Sequence, residues 1–259
     1  MQAKFYYLIQ VQYLGFRYHG WQRQPGVKTV QEMIERTLKY VLNEKPFKIL
    51  GASRTDAMVS ANQASFELFL EESENENELL KAFNYNLPSD IRAISIEEVD
   101  QKFNVIQHAK EKEYLYLFSF GEKNHPFAAP FITHIREDLD IDLMKKGAEL
   151  FLGEHNFQEY CYKPKEGTQF EREITCSEII ENDIWTANFF PEQSFVFRVK
   201  GIGFMRNQIR LMMGRLIKLG RGEITLNDII SSLEHPVDNP EYYIAPASGL
   251  MLHQMKFKK

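Results

Sequence analysis

Three groups of residues in this chain of 259 could do chemistry together. The first is Arg54-Thr55-Asp56, inside the stretch ASRTDAMVSA between two segments with strand-like patterning. A single Asp in a loop is most simply a turn or cap residue. Arg210 widens the possibilities. At about 100° per residue, Met212, Leu219, Leu216, Ile209, Met213 and Ile217 share one helical face, and Arg210 falls at its rim. An arginine there needs a carboxylate partner, because an unpaired buried charge is costly. A carboxylate held by arginine stays ionised and fixed, which suits a nucleophile. The same pairing also reads as a purely structural ion pair. The second group is Tyr114 and Tyr116, which alternation places on the same face of one strand. Either could be core, or could stack on a base. The third is the loop after residue 15, where Phe16, Arg17, Tyr18, His19, Trp21 and Arg23 interleave rings with bases. That mixture suits RNA, and equally a packed loop.

These residues must be positioned by regular elements. Residues 4–13 read as a strand rich in aromatic and β-branched side chains, not as a signal peptide. Thr29-Val30-Gln31-Glu32 matches a capping box and opens a helix. Strands are expected at 47–51, 62–70 and 91–99, and a helix near 77–86. The pattern restarts near residue 105, with strands at 111–120, 172–184, 193–202 and 250–257. Helices are expected at 140–152, 204–220 and, behind Thr225, 226–233. The fold class is α+β, with two similar-sized halves, 1–105 and 106–259, around a shared cleft.

Net charge argues at first against nucleic acid, with 31 Lys and Arg against 36 Asp and Glu, a balance of −5. The charge is uneven, however. Residues 67–100 hold ten acids and two bases, whereas Val196–Gly222 holds seven bases and no acid. The basic stretch suits either snorkelling side chains on a helix or a phosphate-facing surface. A Walker loop, a nucleophile elbow, HExxH and CxxC are all missing, so neither a metal nor a nucleotide cofactor is expected. Two cysteines cannot form a disulfide framework, and no apolar run approaches the roughly 18 residues of a membrane span. A cytoplasmic, non-membrane protein is expected.

The ordered set of motifs resembles the tRNA pseudouridine synthase A family nearly end to end. Tyr13-Leu14-Gly15 with Gly20-Trp21-Gln22-Arg23-Gln24 resembles the family's YDG…GWQRQ opening. Residues 53–61, SRTDAMVSA, resemble its GRTDAGVHA catalytic loop. Asn84 to Pro88 with Asp90-Ile91 resembles NxxLPxDI, and Lys112-Glu113-Tyr114-Leu115-Tyr116 resembles its (K/R)xYxY strand. Gly153 to Phe157 resembles GxHDF. Gly203 to Arg210 with Gly214 resembles GFLxxMVRxxxG, and Pro246 to Leu252 resembles PAxGLxL.

The resemblance implies a cofactor-free isomerase that converts uridine to pseudouridine in the anticodon stem-loop of tRNA, and usually a homodimer. It implies that Asp56 is the catalytic aspartate, which attacks the target nucleotide or promotes cleavage through a glycal-like intermediate. The freed uracil then rotates and rebonds through C5. Tyr114 would stack on the uracil, and Arg210 would pair with Asp56. Arg54 would hold the flipped nucleotide, with Thr55, Lys112, Arg23 and Arg206 as further substrate-binding positions.

The chain departs from the family pattern at Leu14, Ser53, Met58, Ser60 and Ile106. Two other readings follow from these departures. One is a paralogue that binds RNA, as a chaperone would, with little catalysis. The other is a synthase with a shifted RNA target.

Overall fold

The computed structural model describes residues 2–238 and 240–258. In chain order the elements are β1 (Phe5–Tyr13), α1 (Val30–Val41), β2 (Phe47–Gly51), β3 (Ser60–Leu70), α2 (Glu76–Asn86), β4 (Ile91–Glu98) and β5 (Ala109–Phe120). There follow β6 (Thr133–Ile135), α3 (Ile141–Glu149), β7 (Gly153–Asn156), β8 (Glu171–Glu181), β9 (Phe195–Gly201), α4 (Gln208–Gly220), α5 (Leu226–Glu234) and β10 (Leu250–Phe257). The protein mixes helices and strands, as expected, and most of its strand pairs are antiparallel.

The chain divides into two compact units. The first runs to Lys110 and takes back the segment from Met251 onward, and the second is Glu111–Leu250. This differs from the sequence-based division at 105/106, which left the last strand in the second half. The reason is strand pairing. β10 runs parallel to β3, with Met251 opposite Ser60, and Asn62 donates its side-chain amide to the His253 carbonyl at 3.2 Å.

In the first unit β1 lies between β3 and β4, antiparallel to both, with Ile9 opposite Phe66 and Ile96. The remaining edge of the long β3 is shared. β2 pairs with its C-terminal half (Phe47 opposite Leu70) and β10 with its start. The Thr29 hydroxyl accepts the Glu32 N–H at 3.3 Å and so starts α1. Val30, Met33, Ile34 and Leu38 form the buried stripe of α1, and Leu79 and Phe83 that of α2.

In the second unit β5, β9, β8 and β7 make an antiparallel sheet, with β6 parallel to the end of β5. Helix α3 packs against β8 and α5 against β7, and α4 packs on α3. Ile209, Met212, Met213, Leu216, Ile217 and Leu219 are all buried, so the periodicity of α4 was legible. Its start was not. The expected helix 204–220 begins only at Gln208, because Asn207 sits at φ 58° in the left-handed region. The Gln208 side chain instead accepts the Met205 N–H at 2.9 Å, so Arg206 lies in a loop and not on the helix. Similarly, α3 stops at Glu149 rather than 152. Tighter bonds (Leu150 N–H to Gly147, Phe151 N–H to Ala148) turn the chain toward β7, a strand the sequence reading omitted along with β6.

Gly214 on α4 has a positional role. A Cβ there would fall on the Tyr243 carbonyl oxygen, a backbone atom that has little room to give. Gly214→Ala should therefore destabilise the protein by about 3 kcal/mol, measurable by denaturant unfolding. An unchanged midpoint would mean that the segment does not lie against α4.

Candidate active site

The Asp56 loop gains its shape from residues far away in sequence. Thr55 is buried; its hydroxyl is 2.9 Å from the Tyr13 hydroxyl and its carbonyl accepts the Trp21 N–H at 3.1 Å. On the other side of Asp56, the Met58 N–H donates to the Tyr18 carbonyl at 2.9 Å, and the Val59 N–H donates to the backbone carbonyl of Asp56 at 3.2 Å. A Cβ on Gly20, at φ 89°, would come within 2.6 Å of the Thr55 carbonyl oxygen, so glycine is required for the two loops to touch. Asp56 is half-buried, and Arg54, two residues before it, is exposed. Thr55, expected to bind substrate, is buried with its hydroxyl and carbonyl both hydrogen-bonded, and so holds its neighbour in place.

The supporting loop is held in turn by Asp90. Its carboxylate accepts the Tyr18 hydroxyl at 2.7 Å and the Arg17 guanidinium at 2.7 Å. Burial pushes the Asp90 carboxyl up, but the Tyr18 and Arg17 hydrogen bonds outweigh it and hold it below the usual carboxylate range. Burial and the adjacent carboxylate push the Tyr18 hydroxyl well up, so it remains a proton donor. Sequence reasoning missed this clamp as a site component, although Asp90 lies within the motif resembling NxxLPxDI.

Three departures from the family pattern have a definite local setting. Ser60, where the family has His, accepts the Gly15 N–H on its hydroxyl at 3.0 Å and ties the two loops together. Met58, where the family has Gly, adopts φ 66° and exposes its side chain beside Asp56. Ile106 is exposed in the turn after Asn104, whose side chain accepts the Ile106 N–H at 3.0 Å.

The second unit positions Tyr114, Lys112, Arg206 and Arg210. Tyr114 and Tyr116 do share a face of β5, but their environments differ. Tyr116 is fully buried and its hydroxyl donates to the Pro246 carbonyl at 2.8 Å, which makes it a core residue. Tyr114 meets the Phe204 ring edge-on, centroids 5.2 Å apart, next to the loop that carries Arg206. Lys112 precedes it on the same face, and burial holds its ammonium below the ordinary lysine range. Arg206 is exposed and lies over the Tyr162 ring, 5.5 Å from its centroid.

Arg210 is half-buried, as the helical pattern suggested. Its Nε donates to the Ala245 carbonyl at 2.7 Å and its Nη1 to the Asn207 side chain at 3.4 Å. The Ala245 N–H returns a bond to the Arg210 carbonyl at 3.1 Å. The motif Gly203–Gly214 is thus joined at this arginine to Ala245, the residue that precedes the distant motif Pro246–Leu252. Arg215, one turn further on, is different. It pairs with the buried Glu159, whose other oxygen accepts the Val237 N–H at 3.0 Å. Arg23 donates to Glu35 at 3.1 Å on the surface of the first unit. The described residues contain no cluster of His, Cys, Asp and Glu able to hold a metal ion, and no helix long and apolar enough to cross a membrane.

Two outcomes test this construction. A carboxyl held low in the folded state contributes stability above its unfolded pKa and loses it as pH falls through the folded one. Asp90→Asn should therefore cost about 1–2 kcal/mol at neutral pH. The gap from wild type should shrink below about pH 4, as read from unfolding midpoints across pH. Met58→Gly should relieve the left-handed strain and stabilise by about 0.5–1 kcal/mol; a loss of stability would show that the Met58 side chain packs productively.

A model of the tRNA pseudouridine synthase family matches residues 9–106 and 148–258. The tRNA pseudouridine synthase A 2 of Bacillus cereus is 32% identical over 253 residues, covering 97% of this chain and 99% of that protein. The tRNA pseudouridine synthase A of Bacillus sp. (strain KSM-64) is 34% identical over the same shares. Among solved structures, a Cbf5-Nop10-Gar1 complex is similar over 80% of this chain and 46% of that one, at 18% identity and a TM-score of 0.38. On the family match and these full-length relatives, the chain belongs to the tRNA pseudouridine synthase family, whose members are isomerases.

Proposed function

We propose that this protein converts uridine to pseudouridine in the anticodon stem-loop of tRNA, with Asp56 as the catalytic carboxylate. The observation that carries the reading is the Asp56 loop. Backbone hydrogen bonds from Trp21 and Met58 grip the chain on both sides of the carboxylate, and an exposed Arg54 stands two residues away. Such a loop presents one acid in a defined place.

In this reading the Asp56 carboxylate attacks the target nucleotide or promotes cleavage of the bond between C1′ and N1. The uracil turns while retained, and a bond from C1′ to C5 replaces the one lost. The C5 proton departs and N1 gains one, so the reaction is an isomerisation needing no cofactor. Arg54 holds the nucleotide out of its stack. Tyr114 stacks on the uracil, its ring steadied by Phe204. Arg210 keeps Asp56 ionised, and Lys112, Arg206 and Arg23 meet phosphates. The same proposal includes a homodimer working in the cytoplasm. The accommodation of Ser60 and Met58 within an intact loop supports catalysis over RNA binding alone.

The test is pseudouridine mapping on tRNA incubated with purified protein. Wild type should form pseudouridine in anticodon stem-loops, and Asp56→Ala should form none while melting like wild type. Arg210→Ala should lose activity by about 100-fold or more. Arg215→Ala should keep its chemistry but lose about 3 kcal/mol of stability, because Glu159 is left buried and unpaired. Pseudouridine formed by Asp56→Ala, or none formed by wild type, would overturn the assignment.

A further inference from the structure

The first unit carries a charged groove of which the proposed reaction uses only Arg23. Arg23, Arg36, Lys39 and Lys48, with Glu32 and Glu35, line an open depression of about 590 Å³ between α1 and β2. Positions 32, 35, 36 and 39 recur at helical spacing, opposite the buried stripe of α1. Phe47 and Ile49 supply an apolar floor.

The charges do not cancel. Glu35 is engaged by Arg23 at 3.1 Å, and Lys39 reaches Glu44 at 3.0 Å. Among the described residues no carboxylate pairs with Arg36 or Lys48, and both are exposed; Lys48 stands over the Phe69 ring, 5.8 Å from its centroid. The groove belongs to a basic tract. From Arg17 to Arg54 the chain has eight Lys and Arg against three Glu, within a protein of net charge −5. A wide, open, positive surface suits an extended polyanion that lies across it rather than a small ligand enclosed by it.

The groove is also wired to the Asp56 loop. β2 ends at Gly51 and leads directly into Arg54. Trp21, two residues before Arg23, bonds to Thr55 through its N–H and to the Gln31 N–H on α1 through its carbonyl. We propose that the groove between α1 and β2 is a second RNA contact, a phosphate track that holds the sugar-phosphate backbone of tRNA outside the target nucleotide. This rests on the reading of the chain as a tRNA enzyme. The outer edge of β2 would also suit an extended acidic peptide, but the four cations lining the groove, against two carboxylates, favour a phosphate backbone.

The experiment is equilibrium tRNA binding by wild type, Arg36→Gln/Lys48→Gln and the charge-retaining Arg36→Lys/Lys48→Arg, across a salt series. The neutral pair should bind roughly tenfold more weakly near physiological salt, and its slope of log affinity against log salt should fall by about 1.4–1.8. The charge-retaining pair should bind like wild type, and all three should melt together. Wild-type affinity and slope in the neutral pair would overturn the proposal, and is the result expected if the groove serves a peptide. At saturating tRNA the neutral pair should retain wild-type turnover, whereas Asp56→Ala should lose turnover with its salt slope intact. Absence of pseudouridine from wild type would thus defeat the isomerase reading, while the groove stands or falls on binding alone.

Discussion

The backbone bonds from Trp21 to Thr55 and from Met58 to Tyr18 place Asp56, and much else in the first unit follows from them. The segment between β2 and β3 cannot order itself, since it has neither helix nor ladder to satisfy its peptide groups. Partly buried peptide groups need partners, and the segment 13–21 provides them. That segment then needs its own support, which comes from Tyr13 against Thr55, Ser60 against the Gly15 N–H, and Asp90 beneath Tyr18. Thr55 and Asp90 are therefore positioning residues. They touch no reacting atom in this reading, yet they determine where the carboxylate can be.

The second unit uses a related device. Arg210 exchanges bonds with Ala245 through both side chain and backbone, and Gly214 lets the same strand of chain approach α4 without a side chain in the way. Arg215 has the same residue type and lies on the same helix, but its partner is the buried Glu159. The two arginines are separated by environment, one serving a loop that carries functional motifs and the other neutralising a carboxylate in the interior. Tyr114 and Tyr116 divide in the same manner. Both are buried on one face of β5, but the Tyr116 hydroxyl is tied to the Pro246 carbonyl whereas Tyr114 meets the Phe204 ring.

Charge is organised by position more than by total. The acids between 67 and 100 include Glu76 and Glu78 in the first turn of α2, where the N-terminal dipole favours them, and Glu72 and Glu74, which hold Lys45. That accounts for several of them without any role in binding. Four bases line the α1–β2 groove, and Arg206 stands exposed in its own loop. A net balance of −5 therefore coexists with local surfaces suited to phosphate.

Hydrophobic period and capping chemistry are local, and so the sequence by itself determined the α+β class, most strands, the buried face of α4 and the existence of a loop bearing Arg54 and Asp56. Its motifs also determined the family. Element ends were less legible, because Asn207 at a left-handed φ and the tight turns after Glu149 depend on side-chain and backbone bonds that periodicity does not register. The return of β10 to the first unit, the Asp90 clamp, the burial of Thr55 and the different fates of Arg210 and Arg215 were decided only by tertiary structure. Each depends on a contact between residues far apart in the chain, where the partner and not the residue type sets whether a polar group binds, supports or merely neutralises.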